Sequence, residues 1–191
     1  KNNLRVHLTP TRNSGIVETI RECWAWLEQE GVQLVYQVQD DYLFEKKAIY
    51  EMIDIFLQIT RDVNTHPIVT PYNDPYLWNT TYRYKSTPRV IIPGVSRYWI
   101  QTYDIPCTFL TSKLQFSKHW DMYEKFVALG ANNSRIEVDS INRILVERGV
   151  LGVIPVESIA LHVQTELEKD PYINWQSRWN NTEAIRYEKI I

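Results

Sequence analysis

Residues 34–41 read LVYQVQDD, a short run of strand-forming residues that stops abruptly at two adjacent acids. The first five residues predict a buried strand, and Gln39, Asp40 and Asp41 predict the turn that ends it. Segments with helical periodicity flank this strand, and strand-forming residues return at 67–70. Strand, helix and strand at these spacings predict right-handed βαβ units. We therefore expect an α/β fold with a mixed, mostly parallel central sheet flanked by helices.

The two flanking helices each carry an apolar stripe. The first runs to about residue 30, begins near the cap residues Asn13 and Ser14, and stops at Gly31. Its stripe is predicted at Ile16, Ile20, Cys23, Trp24 and Leu27. The second helix covers about 45–60, and its stripe is predicted at Ile49, Met52, Ile53, Phe56 and Leu57.

The rest of the chain is less regular. Further strands are predicted at 4–8, 107–111 and 150–156, and further helices at 119–129 and 137–148. Between 71 and 106, prolines and aromatic residues indicate loops and short strands. We assign 1–165 to one domain and 166–191 to a peripheral C-terminal segment.

Composition narrows the class of protein. The 191 residues carry a formal net charge of −2, with 44% hydrophobic and 23% charged residues, which is typical of a globular protein and not of a nucleic-acid-binding scaffold. No apolar run approaches the roughly 18 residues that span a bilayer. The two cysteines, Cys23 and Cys107, form no disulfide framework or metal knuckle. They favour a reducing, cytoplasmic setting.

Asp40 and Asp41 are the first candidates for chemistry. They follow a strand at the edge where open α/β sheets bind ligands. Two adjacent anions repel each other, and a divalent cation or ligand hydroxyls would offset that cost. The alternative is a solvated turn whose acids favour the start of the next helix.

Three further features carry weaker signals. His162 follows the last strand and is either a metal ligand or a structural histidine. Glu137 and Asp139 lie at the start of a predicted helix. Either residue could act as a general base, or both could be ordinary capping acids that favour the helix start. The segment 9–15 reads TPTRNSG and is either an anion-binding loop before a helix or a simple cap.

In their order along the chain, these segments resemble glycosyltransferases of the GT-A fold, closest to the large family 2 group. That family has an Arg-Asn-x-Gly loop, a helix, and a short strand ending in an Asp-x-Asp metal motif. The matching segments here are 12–15 and 39–41, with Gln39 in place of the first acid. A Trp-bearing segment and an acid pair follow, and some members have a histidine near the metal. The matching residues are Trp120, Glu137, Asp139 and His162.

The resemblance implies a hexosyltransferase that uses a nucleotide-sugar donor, with a UDP-sugar favoured, and that inverts the anomeric centre. Mn²⁺ or Mg²⁺ would bridge Asp41 and the diphosphate, with His162 as a further ligand. Asp40 would contact the ribose or the donor sugar. The loop residues Arg12, Asn13 and Gly15 would belong to the donor site.

The resemblance also assigns the acceptor side. Asp139, or failing that Glu137, would deprotonate the hydroxyl of a glycan or other acceptor. The aromatic segments 71–103 and 116–126 would form the acceptor cleft. The family usually begins with a β-α-β-α stretch that holds the nucleotide base, and none precedes Leu4. The chain is then either the downstream part of a longer protein or a reduced member.

Two other functions fit the same residues. A non-catalytic domain could bind a carbohydrate or a partner through the aromatic surface. A nucleotidyltransferase also uses paired carboxylates and Mg²⁺ on an α/β sheet, although a Gly-rich phosphate loop is missing from the sequence.

Overall fold

The computed structural model describes residues 15–74, 77, 87–128, 136–163 and 173–181. Within them, the helices are α1 (Ile16–Glu30), α2 (Ala48–Val63), α3 (Lys113–Lys118), α4 (Trp120–Ala128), α5 (Ile136–Asp139), α6 (Ile141–Glu147) and α7 (Trp175–Asn181). The strands are β1 (Leu34–Gln37), β2 (Tyr42–Phe44), β3 (Ile68–Val69), β4 (Ile91–Pro93), β5 (Tyr98–Thr102), β6 (Phe109–Ser112), β7 (Gly152–Pro155) and β8 (Ala160–His162). The strand predicted at 4–8 lies outside the described residues, as do Arg12 and Asn13.

Six strands form one mixed sheet in the order β1-β6-β3-β7-β5-β4, and β2 pairs with β8 in a separate two-stranded ladder. The α/β class is therefore as expected, but the prediction of a mostly parallel sheet is wrong. Only β3 and β7 pair in parallel among the described strands, and the other neighbours in the sheet are antiparallel. The reason is that β6 returns between β1 and β3, and β5 lies beside β7 in the opposite direction.

Four of the six strands, β1, β3, β4 and β7, nevertheless point the same way, since β4 is antiparallel to β5 and β5 is antiparallel to β7. Both β1 and β3 are antiparallel to β6, so they are parallel to each other, and β7 is parallel to β3. Their C-terminal ends therefore meet at one edge of the sheet, which we call the carboxyl edge. This is the edge at which open α/β sheets place their ligands.

Helices cover both faces of the sheet. One face carries α1, α3, α4 and α6, whose buried side chains pack with Val35, Ile68 and Phe109. Trp24 of α1 is completely buried there, edge-on to Tyr123 with ring centroids 4.9 Å apart. The other face carries α2, which packs on Val69, Leu110 and Val153. Adjacent strand residues alternate between the two cores, as the pleat requires.

The second helix shows where the predicted stripe is wrong. Met52 and Phe56 are buried as expected, but Ile49 and Leu57 are 47% and 54% exposed. The buried stripe is rotated, and it comprises Ala48, Met52, Ile55, Phe56 and Ile59. Apolar residues cover more than one face of α2, so contact with the sheet, and not periodicity alone, selects the buried one.

Helix boundaries also differ from the predictions. The first helix has Gly15 as its N-cap and not Asn13 or Ser14, because the helical backbone starts only at Ile16. The helix predicted at 137–148 is broken at Ser140 into α5 and α6. None of the described helices is both long and apolar enough to cross a membrane.

Candidate metal and donor site at the carboxyl edge

The loops that follow β1, β3 and β7 lie at the carboxyl edge. The loop after β3 is tied to the segment that joins β7 to β8. The backbone N–H of Asn73 donates to Ser158 Oγ at 2.9 Å, and its side-chain Nδ2 donates to the carbonyl of Val156 at 2.7 Å. The N–H of Ile159 donates to the carbonyl of Pro71 at 3.0 Å. These bonds satisfy polar groups in a buried loop and fix the position of β8.

The ladder of β2 and β8 brings the two predicted metal ligands together. Its register pairs Tyr42 directly with His162, and the N–H of Val163 donates to the carbonyl of Asp41 at 2.8 Å. Asp41 Oδ2 and His162 Nε2 lie 3.1 Å apart. Both side chains are largely covered, with 27% of Asp41 and 16% of His162 exposed.

This pair fits one corner of a cation site. An octahedral ion with ligand bonds of about 2.1 Å holds neighbouring ligand atoms about 3.0 Å apart. Carboxylate and imidazole are both suitable ligands for a divalent ion such as Mn²⁺. No group of three or more His, Cys, Asp or Glu side chains suited to a metal occurs among the described residues. The remaining ligands of such an ion would therefore include phosphate oxygens and water.

Asp40 differs from its neighbour. It is exposed and lies with Asp41 in the turn between β1 and β2. The turn is anchored by the N–H of Gln39, which donates to Thr108 Oγ1 at 3.1 Å. Asp40 is therefore available to a ligand that approaches from solvent, whereas Asp41 is engaged with His162.

Two buried tyrosines enclose the histidine. The ring of Tyr42 lies almost parallel to the imidazole of His162, with centroids 4.6 Å apart and an interplanar angle of 13°. Tyr72 meets the same imidazole edge-on at 5.9 Å and 68°, and it also meets Tyr42 edge-on. Sequence reasoning singled out neither tyrosine. A usable signal existed for Tyr72, since it follows the strand at 67–70 just as Asp41 follows β1.

Acidic groups gather around Tyr42. Burial is the main reason that the pKa of its phenol is raised, and Tyr72 adds to the effect. The carboxyls of Asp41, Asp74 and Glu137 raise that pKa further. The phenol of Tyr42 therefore remains protonated. Asp74 was not among the residues predicted from the sequence.

Glu137 and Asp139 face different surroundings. Burial raises the pKa of the Cys107 thiol, and the charge of Glu137 and a hydrogen bond to it raise it further. The pKa of Arg143 is raised chiefly by its bond to Glu147 and, to a smaller extent, by Asp139. Glu137 therefore contacts Cys107, and the charge of Asp139 acts on Arg143 of α6.

The short helix α5 is held near the site through α6. The Oδ1 of buried Asn142 accepts the N–H of Ile105 at 2.8 Å, and its Nδ2 donates to Asp104. These bonds fix α6 against the segment 103–108, which carries Cys107. Glu137 is positioned by this packing.

Gly15 belongs to the start of α1. The connection from α1 to β1 is short and both pack in the same core, so α1 runs antiparallel to β1 and begins toward the carboxyl edge. Gly15 has φ 145°, and a Cβ there would lie 2.6 Å from Glu18 Oε2. Only glycine adopts this backbone without strain.

A charge network lies beside the β2–β8 ladder. Arg97 bonds Glu51 at 2.5 Å and Glu45 at 3.3 Å, and it donates to the carbonyl of Glu157 at 3.0 Å. Arg178 of α7 pairs with Glu45 and Glu157 from the other side. The network therefore joins α2, β5 and α7 to the residues that flank β2 and β8.

Comparison with known proteins gives no assignment of its own. No model of a known protein family matches the chain, and no curated protein sequence matches it.

Proposed function

We propose that the protein is a metal-dependent glycosyltransferase of the GT-A fold that moves a hexosyl group from a nucleotide-diphosphate sugar, with a UDP-sugar favoured, to an acceptor hydroxyl with inversion. The observation that carries this proposal is the contact between Asp41 and His162 at the carboxyl edge. These residues are separated by 121 positions, yet the ladder that pairs Tyr42 with His162 brings the side chains of Asp41 and His162 to the distance of neighbouring metal ligands.

The donor side of the site uses the residues around this pair. Asp41 and His162 would hold Mn²⁺ or Mg²⁺, which when bound supplies positive charge against the leaving diphosphate. Exposed Asp40 would accept hydrogen bonds from the ribose or the donor sugar. Gly15, at the start of α1, would let the donor loop approach closely, together with Arg12 and Asn13.

The acceptor side requires a general base. We assign this role to Glu137 in preference to Asp139, because the Glu137 carboxyl is hydrogen-bonded to the Cys107 thiol just before β6, whereas the charge of Asp139 acts on exposed Arg143. In the reaction the acceptor hydroxyl gives its proton to the carboxylate, and its oxygen forms a bond to the anomeric carbon. The bond from that carbon to the phosphate oxygen breaks, and the nucleoside diphosphate leaves with the electron pair. The acceptor is a glycan or another hydroxyl compound that packs on the aromatic segments.

We propose a cytoplasmic location for this activity. Both cysteines are free thiols, with Cys107 buried and Cys23 half-buried. Free thiols persist most readily in a reducing compartment.

Calorimetry with UDP, in the presence and absence of Mn²⁺, tests the donor site. We expect UDP binding that depends on the metal and that weakens about tenfold or more in Asp41→Asn. Asp54→Asn makes the same charge change at an exposed position of α2 and is expected to bind as the parent does. Equal binding by Asp41→Asn and the parent would refute the metal assignment.

Release of UDP from UDP-sugars in the presence of glycan acceptors tests turnover. Glu137→Gln is expected to lower turnover about 10²-fold with UDP binding unchanged, and Asp139→Asn to lower it far less. The reverse result would transfer the base to Asp139. Sugar binding without UDP release would favour the non-catalytic domain, and pyrophosphate release from UTP would favour the nucleotidyltransferase.

A further inference from the structure

We infer that Tyr42 is a positioning residue that holds the imidazole of His162 in the orientation in which Nε2 faces Asp41. The role of that orientation in metal binding rests on the proposed function. The positioning itself rests on the ring geometry and the ladder register alone.

The ring of Tyr42 restricts the imidazole from one face. Tyr42 and His162 are directly opposite in the ladder, and their rings are 13° from parallel at 4.6 Å. Side chains directly opposite in an antiparallel pair are the closest cross-strand neighbours. A rotation of the imidazole about χ1 would therefore break the stack.

A second ring prevents Tyr42 itself from moving away. Tyr72 meets both rings edge-on, at 5.7 Å from Tyr42 and 5.9 Å from His162. Both tyrosines are buried, Tyr42 at 6% and Tyr72 at 2% exposed. The two tyrosine rings hold the imidazole in the orientation that presents Nε2 to Asp41 Oδ2, which lies 3.1 Å away.

A metal-coordinating side chain that is already held in place loses less conformational freedom when the metal binds, so the free energy of metal binding is more favourable. Groups that orient a metal ligand without touching the metal commonly change metal affinity. An aromatic pair contributes about 0.5–1.5 kcal/mol beyond its buried area, which corresponds to about 2- to 12-fold in affinity. Tyr42→Leu is therefore expected to weaken Mn²⁺ binding by about that factor.

Two comparison variants separate the ring from other effects. Tyr42→Phe keeps the ring and removes the hydroxyl, so we expect it to bind Mn²⁺ as the parent does. Phe44→Leu removes an aromatic ring from the same strand, where Phe44 stacks on Tyr42 at 6.2 Å. No contact of Phe44 with His162 occurs among the described ring pairs, so we expect its effect on Mn²⁺ binding to be smaller.

The experiment uses the metal-free full chain and then the same samples titrated with Mn²⁺. In metal-free protein, the ring protons of His162 are followed by NMR, because stacking on Tyr42 shifts them upfield. We expect this shift in the parent and in Tyr42→Phe and its loss in Tyr42→Leu. Calorimetry with Mn²⁺ then measures affinity, and thermal unfolding shows that each variant is folded.

The outcomes are distinct. An unshifted His162 in the parent would overturn the inference, and so would a parent that binds Mn²⁺ with the same affinity as Tyr42→Leu. Equal loss of affinity in Phe44→Leu and Tyr42→Leu would also overturn it, since the effect would then belong to the strand. A shifted His162 that responds as expected, in a parent that binds no Mn²⁺, would support the positioning and refute only the proposed metal-dependent transfer.

Discussion

Arg97 is the centre of the charge network, and its loss should destabilise the protein more than any exposed ion pair does. Its side chain is 16% exposed, and that of Glu51, its main partner, is 11% exposed. Arg97 bonds both oxygens of Glu51, at 2.5 and 3.3 Å, and also Glu45. Arg97→Met leaves Glu51 buried without this cation.

The magnitude follows from the degree of burial. Removing one partner of a fully buried ion pair costs about 3–5 kcal/mol. Because a small part of each side chain still reaches water, we expect a loss of about 2–4 kcal/mol in the free energy of unfolding of Arg97→Met. With an m-value near 2 kcal/mol/M in urea, this corresponds to a midpoint lower by about 1–2 M.

Equilibrium unfolding in urea measures this loss. Arg97→Lys keeps the charge but loses the fork that bonds both oxygens of Glu51, so its loss should be intermediate. Arg61→Met removes an arginine that pairs with Asp62 on the surface and should leave stability unchanged. The double variant Arg97→Met/Glu51→Met should recover part of the loss, because no uncompensated charge remains. A loss below about 0.5 kcal/mol in Arg97→Met, or a double variant less stable than either single variant, would refute the reasoning.

Three further predictions concern the core and its ionisable groups. Gly31→Ala should lower the free energy of unfolding, measured in urea, by about 1–3 kcal/mol, because the Cβ of the alanine would lie 2.4 Å from the carbonyl oxygen of Leu27. Unchanged stability would contradict this prediction. Burial, together with the charges of Lys118 and Arg148, lowers the pKa of His119, so the unfolded chain binds the proton more readily and stability should fall as the pH drops below about 6.5. His119→Gln should flatten the dependence of the urea midpoint on pH, and an unchanged slope would assign it to other groups. Burial raises the pKa of both thiols, and Cys107 is fully buried whereas Cys23 is only half-buried. A thiol reagent at pH 8 should therefore modify Cys23 first and Cys107 only after unfolding.

Periodicity and local chemistry predicted the α/β class and the positions of the two long helices. They could not predict the order of the strands, because pairing depends on contacts between distant segments. The strand at 107–111 was expected, but nothing local shows that it enters between β1 and β3 in the reverse direction. This insertion, together with β5 running antiparallel to both β7 and β4, makes antiparallel pairs the majority in a sheet that was expected to be mixed but mostly parallel.

The same limit applies to the candidate site. Asp41 was singled out because paired acids after a strand lie at the edge where α/β sheets bind ligands, and His162 because imidazole binds metals. Their contact depends on β2 and β8, which are three residues each and too short to give a clear alternating pattern. Tyr42 was missed for the same reason, since a tyrosine in a three-residue strand resembles any other core aromatic.

The pairing of β2 with β8 also sets an order of events during synthesis. The last strand of the six-stranded sheet ends at Pro155, and the ladder is closed only by 160–162. A nascent chain that has emerged as far as residue 156 therefore holds every strand of the large sheet but has only half of the Asp41–His162 pair. The proposed ability to bind an ion would therefore be acquired only when β8 has emerged, and a shortened product that stops before β8 would lack His162 and with it the proposed cation site.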